Sequence, residues 1–183
     1  MKFIQLYFKS LSEVVGNDNL AVITLIDSDH RRTLTFVCDN DIKLQLAMRT
    51  NGVQCAKRLP EVLARAVGMS TDWSCGKIEV CSLVAGEYQA LLLLQGADTP
   101  LPIRLSDAVL LSLITDCPIM MDGQLFYKQS SVYMGNDSKT LIPVNILDDK
   151  QLEKELEKAV NAENYHLAAY IQEELKKRKN IGK

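Results

Sequence analysis

The chain has only two histidines among 183 residues, and His166 falls near its end. A paired-histidine ribonuclease mechanism within the body is therefore excluded, as is a zinc site built on histidines. Five cysteines (Cys38, Cys55, Cys75, Cys81, Cys117) are scattered without a CxxC pair, which excludes a zinc knuckle and a thioredoxin-type centre. They read as buried, reduced thiols of a cytoplasmic protein. No glycine-rich phosphate loop, glycine-flanked serine nucleophile or internal repeat is present. Net charge is only −2, so no global field draws the chain to nucleic acid. No apolar run approaches the ~18 residues of a membrane span, and the apolar stretch in MKFIQLYFKS is too short for a signal peptide. The expectation is a soluble cytoplasmic protein with no membrane partner.

Almost half of the residues are apolar, enough for one medium domain and an appendage. Ile4, Leu6 and Phe8 alternate with polar or aromatic neighbours and predict a strand over 3–9. Strands follow at 20–26 and 33–37, joined through the turn-forming Asp27-Ser-Asp-His-Arg-Arg32. Asp39-Asn-Asp41 offers an N-cap to a helix over 42–49, with Ile42 and Leu46 inward, and Asn51-Gly52 stops it. A second helix covers 59–67. Residues 73–84 and 87–95 predict a hairpin turning at Ala85-Gly86, and the unbroken Ala90–Leu94 run predicts a central strand covered on both faces. A short strand at 100–104, an apolar helix over 106–114 and a strand at 118–121 complete the body. Residues 122–149 read as loop, edge strand and linker. The order predicts an α+β fold, a mixed or antiparallel sheet with packed helices, followed by a C-terminal two-helix hairpin. The expected units are a body over 1–130, an edge segment and linker over 131–149, and the hairpin over 150–183.

In the tail, Leu152, Leu156 and Ala159 recur at helical spacing, as do Ala168, Ile171 and Leu175 beyond a break at 161–164. Each helix has about ten residues, fewer than the ~12–15 needed to persist alone. The two must cover each other and then bury what remains. The tail is therefore read as a docking device for a partner or for self-association, through Leu156, Tyr165, Ala168, Ala169, Ile171 and Leu175. Docking on the chain's own body is the alternative.

In the body, the strongest candidate site is Arg104-Leu-Ser106-Asp107. Arg104 ends a strand and can offer phosphate a fork of donors. Asp107 can accept a proton or hold a metal. Ser106 and the amides after it stand at a helix start, where anions are favoured. A structural reading competes and leads: Ser106 as N-cap, Asp107 suiting the helix dipole, Arg104 paired with Asp107. Asp27, Asp29 and His30 form a second candidate cation site, for which a solvated hairpin turn is the leading reading. Asp39 and Asp41 carry the same ambiguity, with capping ahead. The basic run Lys176-Lys-Arg-Lys179 contains no aromatic residue and reads as a solvated helix end rather than a nucleic-acid contact.

Three segments of the body resemble the bifunctional nuclease (BFN) family. Ile103-Arg104-Leu105-Ser106-Asp107-Ala108-Val109-Leu110-Leu111-Ser112-Leu113, followed by Cys117-Pro118-Ile119, is similar to that family's (A)RPSDAIALAL…APIxV signature. Glu87 to Leu93 resembles its preceding strand, and Thr33-Leu-Thr-Phe-Val37 with the next helix resembles its LPIWIGxxEAxAI block. Arg58 to Leu63 stands where the family has RPLTHDLL. The likeness spans roughly 1–130. Leu105 replaces the family's Pro, the Thr-His pair is absent, and the family's Gly and Glu fall near Cys38 and Asp41. The tail resembles the UVR motif, LxxxLxxAxxxxxYExAAxxRDxI, with His166 for a usual Glu and Gln172 for a usual Arg. The resemblance implies DNase and RNase activity through Arg104, Ser106 and Asp107, with a divalent ion (Mg²⁺ or Mn²⁺) held by Asp107 and Asp41. It also implies DNA or RNA as substrate and a homo-oligomer, and for the tail a partner from repair or proteolysis. A non-catalytic oligomeric scaffold is the alternative, and a small-ligand regulator a weaker third.

Overall fold

The computed structural model describes residues 2–14, 17–69, 73, 76–133 and, in the tail, 152–154, 156, 157, 160, 168, 169, 171, 172, 175 and 176. The chain divides into two compact units, Met1–Asn136 and Asp137–Lys183. The first is an α+β body, as expected.

Eight strands form one sheet: β1 (Phe3–Val14), β2 (Asn17–Asp27), β3 (Arg32–Asp39), β4 (Lys77–Val84), β5 (Glu87–Leu93), β6 (Leu101–Arg104), β7 (Ile119–Asp122) and β8 (Ser131–Val132). Their order is β6-β5-β4-β7-β1-β2-β3-β8. Every neighbouring pair is antiparallel except β4 and β7, which run parallel. Two meanders, β1-β2-β3 and β4-β5-β6, thus meet at β7.

β1 runs five residues beyond its expected end. The register shifts between Phe8 and Ser10, and Leu11 then pairs with Ile23. Such a bulge breaks the alternation that marks a strand in sequence without ending the strand. The strand buried on both faces is β2, in which residues 21–27 are all buried. β5, expected in that role, lies second from an edge. Its Ala90 and Leu92 face the core while Leu91 and Leu93 are half-buried. Thr24 and Asp27 interrupt the apolar run of β2 and masked its position; Asp27 lies buried at the hairpin turn, where its carboxylate accepts from the Arg31 and Arg32 amides at 2.8 and 2.9 Å. At the expected Ala85-Gly86 turn both residues have positive φ, 51° and 84°, the backbone a tight two-residue hairpin requires.

Four helices join these strands: α1 (Asn40–Thr50), α2 (Leu59–Gly68), α3 (Leu105–Thr115) and α4 (Gly123–Gln129). Asp39 caps α1, accepting from the Ile42 amide at 2.9 Å. Ile42 and Leu46 go into the core. The core gathers Leu6, Ile23, Leu34, Ile78, Val109, Ile119, Met121 and Phe126 with these two. α4 stands where the sequence predicted loop. Asp122 caps it through the Leu125 amide at 3.0 Å, so Asp122-Gly123 begins a helix rather than forming a turn. Gly123 is needed there: a Cβ would lie 2.7 Å from the Lys2 carbonyl oxygen. The expected edge strand is β8.

α2 is turned outward. Leu59, Val62, Leu63 and Val67 are between 37% and 68% exposed, with Met69 just beyond. Its inner side holds buried Ala64 and Glu61, which pairs with Arg49 of α1. The Trp73 indole donates to the Ala64 carbonyl at 2.9 Å. Cys38, Cys55 and Cys117 are buried and Cys81 is exposed, all as free thiols; Cys75 lies outside the described residues. Burial raises the Cys38 thiol to about 11, which leaves it protonated and inert at neutral pH. Among the described residues, no helix is long and apolar enough to cross a membrane.

In the second unit, the described positions are helical. Leu152, Ala168, Ile171 and Leu175 are buried together, with Leu156 packed on them. These side chains cover one another, as two short amphipathic helices must.

Two leucines on opposite sides of α1 separate core from surface. Leu46 is fully buried and Leu44 is 52% exposed. Leu46→Ala is expected to cost about 2–5 kcal/mol in chemical denaturation, and Leu44→Ala about 0.5 kcal/mol or less. Equal losses would contradict this placement of α1.

Candidate functional site

Arg104 is the last residue of β6 and the N-cap residue of α3. Its Nε donates to Asp107 Oδ2 at 2.5 Å and its Nη1 to Asp39 Oδ2 at 2.8 Å. Asp107 lies in the first turn of α3, and Asp39 caps α1. One guanidinium therefore ties together the starts of two helices that are 65 positions apart in sequence. The side chains are 65%, 42% and 33% exposed for Arg104, Asp39 and Asp107. Two of the arginine's donors are engaged, leaving most of its planar fork open to solvent.

The electrostatics follow from these bonds. The Ile42 amide holds the Asp39 carboxyl below its ordinary value; burial opposes this, and Arg104 and the Asp41 amide reinforce it. Its hydrogen bonds to Asp107 and then to Asp39 raise Arg104 further above its already high range. The cluster sets Asp39 and Asp107 against one guanidinium, at a place where two helix dipoles present their positive ends.

The expected pairing of Arg104 with Asp107 is present. Ser106 does not take the expected capping position. The helix begins one residue earlier, at Leu105, and Ser106 is a buried residue of its first turn. α3 has no side-chain cap at its start. Leu105 accounts for this displacement: it is 4% exposed and anchors the first helical position in the core. Proline suits that same position, so a leucine there preserves the helix start and the placing of Arg104 and Asp107. Asp41 is exposed in the first turn of α1, and it reaches the cluster through its backbone amide.

Asp39, weighed from the sequence as a cation ligand with capping ahead, proves to be a partner of Arg104, which sequence reasoning missed. Its capping role was legible from the residues after it. Its bond to Arg104 depends on tertiary packing and leaves no local signal.

The donor set does not make a preformed divalent-cation site. Asp39 has one oxygen on the Ile42 amide and the other on Arg104. Asp107 gives one oxygen to the same guanidinium, whose positive charge stands where a bridging ion would sit. Among the described residues no group of three or more His, Cys, Asp or Glu is placed to hold a metal. Asp27, Asp29 and His30 are not such a group: Asp27 is committed to its turn, and His30 takes a positive φ of 56° there.

Of the tail residues, Ala168, Ile171 and Leu175 are buried and Leu156 half-buried, while Ala169 is exposed. Tyr165 lies outside the described residues, as do 177–179 of the basic run; Lys176 is exposed.

A family model described as the bifunctional nuclease domain matches residues 23–133. The match begins within β2, although β1 belongs to the same sheet through its pairing with β2 and β7. No curated protein matches the chain.

Asp39 supplies both a cap and an ion pair, and the two can be separated. Asp39→Ala is expected to destabilise the body by about 1 kcal/mol, the usual cost of a lost cap, whereas Asp39→Asn keeps a capping oxygen and loses less. The folded carboxyl titrates below its ordinary value of 3.8. Its contribution is thus complete above that pH and disappears as pH falls through the folded value. On acidification from about pH 5 to pH 3, the native chain should lose more stability than Asp39→Asn. Parallel pH–stability curves would show that the Asp39 charge contributes nothing.

Proposed function

The chain belongs to the bifunctional nuclease domain family, and on that premise we propose that it hydrolyses phosphodiester bonds of DNA or RNA at the Arg104–Asp107 cluster. The observation that carries this reading is the exposed guanidinium of Arg104, fixed between two helix starts by Asp39 and Asp107. A planar fork held in place matches the oxygens of a phosphate. The two helix N-termini add their positive ends. Asp107 keeps one carboxylate oxygen apart from Arg104 and is the group that takes the proton of an attacking water. The new P–O bond forms as the ester P–O bond breaks, and solvent protonates the departing oxygen. Ser106 acts indirectly, by packing the first turn of α3.

The test uses supercoiled plasmid and single-stranded RNA, each with Mg²⁺, Mn²⁺ or EDTA. Arg104→Ala should lower the cleavage rate roughly 10²–10³-fold, and Asp107→Asn should lower it roughly 10²–10⁴-fold, both with unchanged circular dichroism. Arg104→Lys should recover only part of the loss, because a point charge lacks the fork. Cleavage persisting in EDTA would support chemistry by these side chains alone. Cleavage only with a divalent ion would require the ion to displace Arg104 from one carboxylate. Equal trace cleavage by wild type and both variants would remove the site from consideration.

A second reading makes the chain a homo-oligomeric adaptor with a UVR-like tail, and the exposed apolar stripe of α2 favours the oligomer. Monomers seldom leave so contiguous a patch to water. The proposed occupant is α2 of a second copy, since two-fold pairing buries the same side chains from both. Light scattering after size exclusion should give a dimer or larger for the native chain and a monomer for Leu59→Ser/Leu63→Ser. A native monomer at micromolar concentration would dispose of this interface. For the tail, Ala169 is the exposed one among the described residues of the motif, and a partner bound there should be lost with Ala169→Glu.

A further inference from the structure

The opposite end of β3 carries different chemistry. At the β2–β3 turn a hollow of about 410 Å³ is lined by Tyr7, Phe8, Lys9, Ile26, Ser28 and His30. Tyr7 is 45% exposed, and Lys9, His30 and Arg31 are exposed. Tyr133 lies against Lys9, whose Nζ is 2.8 Å from its hydroxyl and 4.2 Å from its ring centroid. The Tyr133 amide donates to the Arg31 carbonyl at 2.7 Å, which fastens this residue to the hairpin. Next to it, Arg32 is engaged with Ser130 at 2.7 and 2.6 Å and lies 5.6 Å from the ring of Tyr127, itself 63% exposed.

The charges here are not neutralised as they are at Arg104. No ion pair among the described residues involves Lys9, His30 or Arg31. No carboxylate lines the hollow. Asp27 is buried with its carboxylate turned to two backbone amides, and Asp29 is the one acid that the turn exposes. Lys9 and Arg31, without a carboxylate partner among the described residues, beside the exposed ring of Tyr7 at an open hollow, are what a flexible single strand needs. Cations meet its phosphates, and aromatic faces stack its unpaired bases. A duplex hides those base faces.

We propose that the hollow formed by Tyr7, Lys9 and His30, with Arg31 and Tyr133 at its rim, binds single-stranded nucleic acid. The proposal rests on the phosphodiesterase reading above and extends it to the substrate class. β3 spans the distance from this hollow to Asp39, about 23 Å for a strand of its length. A strand of several nucleotides would therefore be needed to occupy both places, which favours long single-stranded substrates over dinucleotides.

The test is fluorescence anisotropy with a labelled 15-nucleotide oligo-U or oligo-dT, in EDTA so that binding is read without metal-dependent turnover. Native full-length chain should bind the single strand more tightly than a duplex of equal length. Tyr7→Ala should weaken binding roughly tenfold. Lys9→Gln/Arg31→Gln should weaken it further and flatten the dependence of log Kd on log salt by about 0.7 for each phosphate no longer neutralised. All these positions are exposed, and thermal melts of the variants should match the native chain. Equal affinity for duplex and single strand, or variants that bind as well as the native chain, would overturn the proposal. Asp107-dependent cleavage without Tyr7-dependent binding would overturn this surface and leave the catalytic reading standing. Tyr7-dependent binding with no cleavage would do the reverse.

Discussion

Four residues join the two halves of this protein's body. β7, Ile119–Asp122, lies between β1 on one side and β4 on the other, antiparallel to the first and parallel to the second. Each half is a local antiparallel meander that short turns could build alone. Neither half is closed at its inner edge, and an unpaired edge is a liability. β7 satisfies both edges at once, and its Ile119 and Met121 are buried at 1% and 0%. α3 must precede it, because a parallel neighbour cannot be reached by a tight turn. The long apolar helix and the short strand after it are thus one device.

The candidate site is a consequence of that junction. Asp39 ends the first meander and Arg104 ends the second. Packing α1 and α3 over the joined sheet brings the two helix starts to one place, where a single guanidinium links them. Both carboxylates help to hold Arg104 in position, with both Asp39 oxygens and one Asp107 oxygen engaged. The replacement of the family's proline by Leu105 lies at a helix position that accepts either residue, so it leaves this geometry undisturbed.

β3 separates two chemistries. At its end stand Asp39 and the acidic cluster, and at its beginning stand Lys9, His30, Arg31 and the tyrosines around the hairpin. With a net charge of only −2, this division is invisible in composition and arises from which turns the fold places together. The outward stripe of α2 follows from a similar choice. Its inner side is held by the Arg49–Glu61 pair and the Trp73 indole, while Leu59, Val62 and Leu63 stay exposed.

The elements themselves were legible wherever a local rule governs them. Asp39 before Ile42 announced a helix start, Ala85-Gly86 announced a tight turn, and Leu152 with Ile171 and Leu175 announced helices that cover each other. Local rules also misled. Asp122-Gly123 has the look of a turn yet caps α4, because the close approach of the Lys2 carbonyl demands glycine. The Leu run of β5 has the look of a central strand, yet it lies near an edge. Sequence determined the α+β class, the cap at Asp39, the hairpins and the pairing of Arg104 with Asp107, since each depends on neighbours a few positions away. Tertiary structure alone decided the strand order, the burial of β2, the outward face of α2 and the bond from Arg104 to Asp39. Those depend on contacts across tens of residues, whose free energy comes from closing one shared core rather than from any segment that could be read by itself.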